Sequence, residues 1–118
     1  MSFAAAEACD PVARVVALVG DLMLASRVEA TLAGAGHEVI LNLRDDGESS
    51  AGADLIVADV DEVDPASVVS LGKPVLGFYR HTHPEKRRRA EAAGVALVVP
   101  RSRLARELPE LVEGLLRS

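Results

Sequence analysis

The sequence predicts one α/β domain built as a doubly wound, five-stranded parallel sheet in the order 2-1-3-4-5. Three observations lead there. Five short apolar runs recur along the chain, the segments between most of them carry helical periodicity, and no repeat or linker divides the 118 residues. A chain of that length holds one domain comfortably and two only with difficulty.

The runs are Val15–Val19, Val39–Leu43, Leu55–Val60, Val75–Phe78 and Ala96–Val99. Each is rich in Val, Ile or Leu, and polar residues scarcely interrupt them. Strands apolar on both faces belong to parallel sheets with helices on each side. After the first run, Leu24, Val28, Leu32 and Ala35 fall on one helical face, and Gly36 stops the helix. Asp64-Pro65 reads as a helix start after the third run, and His83-Pro84 as another, with Gly94 closing the latter. Ser102 is placed to cap a last helix whose stripe runs Leu104, Leu108, Leu111, Val112 and Leu115. Pro109 interrupts that stripe, so a kink or two short helices are expected there. The polar stretch Arg44–Gly52 has room for only a turn or two of helix, and Asp61–Ser70 is nearly as short. Helices between parallel strands imply right-handed crossovers.

Apolar residues make up 49% of the chain and charged residues 26%, an ordinary globular balance. Aromatics are only 3%, so the core must come from aliphatic side chains, and stacking platforms for single-stranded nucleic acid are lacking. A net charge of -5 disfavours a binder of phosphate backbones. Cys9 has no second cysteine to pair with, which suits a reducing compartment. No secretory signal or membrane span can be read, and a soluble, cytoplasmic protein is expected. Residues 1–12 are expected to be a mobile tail and residues 13–118 the domain.

In an open parallel sheet, ligands bind at the carboxyl ends of the strands where strand order reverses. The residues predicted there are Gly20 and Asp21, Asp59, the segment Tyr79 to His83, and Arg101. Two carboxylates on neighbouring strands attract a divalent cation or raise one another's pKa. A nearby arginine neutralises them or grips a phosphoryl group. Taken alone, Asp21 is more simply the cap of the following helix.

The residues at these strand ends resemble those of the receiver domains of bacterial two-component response regulators, which have the CheY-like, flavodoxin-like fold. Asp54-Leu55-Ile56-Val57-Ala58-Asp59 is similar to the third receiver strand, which ends in the phosphoacceptor aspartate. Val16–Val19 with Gly20-Asp21 is similar to the first strand and its acidic pair. Pro74–Tyr79 is similar to the fourth, and Ala93-Gly94 through Val99, Pro100, Arg101 and Ser102 to the fifth. The resemblance implies Asp59 as phosphoacceptor, Tyr79 and Arg101 as switch and phosphate contacts, and Asp21 with Asp59 as ligands of Mg²⁺. It also implies a protein partner, either a kinase or a separate output protein, with no output domain in the chain itself. The surface of the fourth helix, fifth strand and last helix is the usual partner or dimer interface of such domains. Departures mark an atypical, pseudo-receiver type. Gly20 replaces the first acid, Tyr79 the short switch hydroxyl, Arg101 the lysine and Ser102 the proline after it. No proline stands four residues after Asp59, and the second and third helices are shortened.

Other patterns carry less. His81 and His83, with Asp21 and Asp59, compose a conceivable zinc-type set and define the alternative of a small-ligand or metal-binding domain; a polar loop is the simpler reading. His37 reads as a turn residue. Lys86–Arg89 reads as a solvated helical face balanced by Glu85 and Glu91, and an acidic partner would be its second use. Neither a G-x-G-x-x-G nor a P-loop occurs, and no nucleophile–base pair can be named, so an enzyme is not expected.

Overall fold

The computed structural model describes residues 13–42, 52–80 and 84–117. The expected tail, nearly all of the Arg44–Gly52 connection, and His81 and His83 lie outside the described residues. Within them the chain runs β1 (Arg14–Leu18), α1 (Leu22–Gly34), β2 (Glu38–Asn42), β3 (Leu55–Asp59), α2 (Pro65–Val69), β4 (Val75–Tyr79), α3 (Pro84–Ala93), β5 (Leu97–Pro100) and α4 (Arg101–Arg117). The strands lie in the order β2-β1-β3-β4-β5 and every neighbouring pair is parallel. Strand order and strand direction are those the sequence predicts, and the strand ends move by no more than two residues.

Alternation along the strands divides the core into two layers. Val15, Ala17, Leu55, Val57, Leu76 and Phe78 pack with Leu24, Val28 and Leu32 of α1 and with Leu104, Leu108 and Val112 of α4. Val16, Leu18, Ile56 and Ala58 face the other way, towards Val68 of α2 and Ala90 of α3. β3 and β4 are buried at every position, which explains why their sequences alternate so little. Each fully buried leucine or phenylalanine contributes about 1.5–3 kcal/mol relative to leaving it in water. Helices α1 and α4 therefore hold one face of the sheet, and their amino ends arrive together at its carboxyl edge.

Two local expectations change. Ala35 is exposed and forms the C-cap of α1, because the helix ends one residue before it; Gly36 then turns the chain with φ 94°. Ser102 is not a cap, since α4 already begins at Arg101, directly where β5 ends. The Pro109 expectation holds: α4 breaks at Glu107 (φ -120°, ψ 17°). That break places Pro109 in the first turn of the second piece, where a missing N–H leaves no helical acceptor unpaired. Gly94, at φ 102°, closes α3 as expected. In the basic run on α3, Arg87, Arg88 and Arg89 are exposed and Lys86 is half-buried, and Arg87 pairs with Glu91 one turn on.

Candidate functional site

Registry across the sheet sets the level of each candidate. Leu18 lies opposite Ala58, Asp59 opposite Phe78, and Tyr79 opposite Pro100. Gly20 and Asp21 thus rise just past β1, Asp59 closes β3, and Arg101 follows the last residue of β5. Side-chain alternation then separates them. Asp59 continues the Leu55, Val57 series that faces α1 and α4, whereas Tyr79 belongs to the opposite layer. Tyr79 is buried there, close to the Arg87 guanidinium of α3. The Tyr79 ring thus packs in the layer opposite to the Leu55, Val57 series that Asp59 continues.

Asp21 is the N-cap of α1. Its Oδ1 accepts the backbone N–H groups of Met23 (3.0 Å) and Leu24 (3.1 Å), and its Oδ2 accepts from the Arg101 guanidinium. The pair ties the amino ends of α1 and α4 together across eighty positions of sequence. The Leu24 amide foremost, and then Arg101, hold the Asp21 carboxyl below its usual range. Stability from this group is present above the unfolded carboxylate value and is lost as pH falls through the lowered one. Asp21→Ala removes cap and ion pair together and is expected to lower the melting temperature by roughly 3–8 °C. Asp21→Asn keeps an acceptor for the two amides and loses only a partly exposed ion pair, so it should retain most of that difference. Equal losses in thermal unfolding would show that the pair, and not the cap, dominates.

Asp59 is the only buried charged residue among the described residues, 7% exposed. The turn after β3 folds back over it: its carbonyl accepts the N–H groups of Glu62 and Val63, and its Oδ1 accepts that of Asp61 at 3.0 Å. Burial raises the Asp59 carboxyl above its ordinary value, with the charges of Asp61 and Glu62 adding to it; the Asp61 amide and Arg101 pull the other way. Asp61 in turn accepts the backbone N–H of Arg80 at 2.9 Å, linking the segments after β3 and β4. Glu62 was missed in the sequence. A Cβ built on Gly20 would lie 2.6 Å from Glu62 Oε1, so this carboxylate fills the space next to Gly20. The signal available was the acidic pair Asp61-Glu62 directly after the third strand.

These contacts test the expectation of a Mg²⁺ ion shared by Asp21 and Asp59, and the residues do not fit it. One Asp21 oxygen is committed to two amides and the other to a guanidinium. The positive charge felt by both carboxylates is Arg101, which would repel a cation placed between them. Among the described residues no group of three or more His, Cys, Asp or Glu side chains could hold a metal ion. Arg101 stays where the sequence placed it and acts as the resident counter-charge of the edge.

Sheet order, layer arrangement and a buried aspartate ending β3 define the receiver-domain fold, and comparison with solved structures bears this out. No family model matches the sequence and no curated protein matches it. The chemotaxis response regulator CheY4 of Vibrio cholerae is 24% identical, with 87% of this chain covering 98% of that one at a TM-score of 0.69. A response regulator from Thermotoga maritima is 15% identical, covering 90% of this chain and 98% of that one, with a TM-score of 0.73. NtrX from Brucella abortus, 16% identical with a TM-score of 0.74, matches 89% of this chain, which spans 27% of its length. At these identities the likeness establishes the fold. Among the described residues no helix is long and apolar enough to cross a membrane.

Proposed function

We propose that the chain is an atypical receiver-like signalling module that works through protein contacts and has no enzymatic reaction of its own. The observation that carries this reading is the Asp21–Arg101 pair beside buried Asp59. It installs a fixed cation at the edge where a receiver site would recruit a metal and a phosphoryl group. The partner is a protein, either a kinase or a separate output protein, in the cytoplasm. The surface of α3, β5 and α4 is the face proposed to meet that partner or a second copy of the chain.

The test is incubation with acetyl phosphate, or with a beryllofluoride mimic, in the presence of Mg²⁺. Intact-mass and NMR spectra are expected to be unchanged, and identical in behaviour to those of Asp59→Asn. A phosphoryl mass increment that disappears in Asp59→Asn would overturn the reading in favour of a working phosphoacceptor, the role its place at the end of β3 supports.

A further inference from the structure

Between the first turns of α1 and α4, beside the carboxyl edge, lies a groove of about 610 Å³. That volume is in the range of small-molecule sites, roughly 300–1,000 Å³. Asp21, Met23, Leu24 and Arg27 line it from α1, Arg101, Ser102 and Ala105 from α4, and Arg80 from the end of β4. Asp21 and Arg101 of the candidate site form part of its wall, while Asp59 does not line it.

Three guanidiniums meet here against a single carboxylate, on a chain whose net charge is -5. The carboxylate, Asp21, is already neutralised by Arg101. Among the described residues the Arg27 and Arg80 guanidiniums make no salt bridge, as Arg88 and Arg89 on the solvated α3 make none, but only these two converge with Arg101 on one groove. Beside the charges on the same helix faces lie the apolar Met23, one turn before Arg27, and Ala105, one turn after Arg101, with Leu24 next to Met23; Met23 is 85% exposed to the solvent that a ligand would displace.

From this we infer that the groove binds a small organic dianion, a phosphomonoester or a dicarboxylate, whose anionic head lies between Arg27 and Arg80 and whose carbon body covers Met23. Two unpaired planar forks match two negative charges in bidentate fashion. The apolar side chains favour a ligand with a carbon body over the bare anion, since about 25 cal/mol is gained per Å² of apolar surface removed from water. The inference does not depend on whether Asp59 accepts a phosphoryl group.

The test is NMR titration with phenyl phosphate, with benzylmalonate as a dicarboxylate of similar aromatic body, and with inorganic phosphate as the bare head. Phenyl phosphate or benzylmalonate is expected to shift amides at the starts of α1 and α4 at millimolar concentration, and to bind at least about tenfold more tightly than inorganic phosphate, a factor worth about 1.4 kcal/mol. Which of the two binds tighter identifies the head group. The double variant Arg27→Gln, Arg80→Gln, whose exposed positions leave folding intact by thermal unfolding, should lose at least tenfold in affinity. Asp59→Asn should bind as the parent does. No shift up to about 10 mM, equal affinity for inorganic phosphate, or an unchanged double variant would each overturn the inference. Loss of binding in Asp59→Asn would overturn it too, by moving the anion to Asp59, and would leave the receiver-like reading standing.

Discussion

Phe78→Ala lowers the stability of the domain by about 3–5 kcal/mol, the range for emptying an aromatic site in a packed core. Phe78 is 1% exposed and stands in the centre of the sheet, between the Asp59 level of β3 and Val99 of β5. It packs in the layer that α1 and α4 share with the strands. The chain has just two phenylalanines and one tyrosine, so no second large ring can move in to fill the space. Urea unfolding followed by circular dichroism reads the change as a lower midpoint at an unchanged slope. If the alanine variant does not fold, Phe78→Leu supplies the measurement, with a loss of no more than about 1.5 kcal/mol expected from the smaller volume change. A Phe78→Ala loss below about 1 kcal/mol would mean that the two helices do not close over the sheet here.

Asp59→Asn is expected to stabilise the domain at neutral pH, raising the melting temperature by roughly 3–5 °C, which corresponds to about 1 kcal/mol in a domain of this size. Asparagine has the same shape and still accepts the Asp61 amide, so the change removes a buried charge and little else. Because burial raises the folded-state carboxyl, the native state holds its proton more firmly than the unfolded chain. The Asp59 contribution is thus greatest below the unfolded carboxylate value, about 3.9, and falls as pH rises through the raised folded value. The groups facing it are Asp61, Glu62 and Arg101, of which only Arg101 favours ionisation by its charge. The gain of the asparagine variant should grow with pH across this window and vanish at its acid end. A variant less stable than the parent at neutral pH would show that the ionised carboxylate makes a stabilising contact.

The fold was legible because its signals are local. β3 and β4 are apolar at nearly every position, and burial on two faces leaves no other arrangement for short runs of that kind. The α4 stripe and its break at Pro109 follow equally from helical spacing and from the missing proline N–H. The site was legible only in its level along the strands. Reading strand ends placed Asp21, Asp59 and Arg101 at one edge, but a strand end does not say which face a side chain takes. For Tyr79 that depended on a register in which it lies opposite Pro100, one step beyond the Asp59–Phe78 pair. Cap geometry was missed at Ser102 because β5 passes into α4 without an intervening residue.

The opposite cases are contacts between residues far apart in sequence. Glu62 fills the space beside Gly20, forty-two positions away, and Arg101 neutralises Asp21 across eighty. No periodicity or spacing encodes either, since each arises only when strand order brings two loops together. Period and burial are properties of short segments, so the order of residues along the chain already specifies a five-stranded parallel sheet with two aspartates and an arginine at its carboxyl edge. The helix cap at Asp21 belongs to that local reading; its meeting with Arg101 and the burial of Asp59 arise only when the elements assemble. Those are partnerships of charge, and the approach of helices α1 and α4 over one face of the sheet creates them.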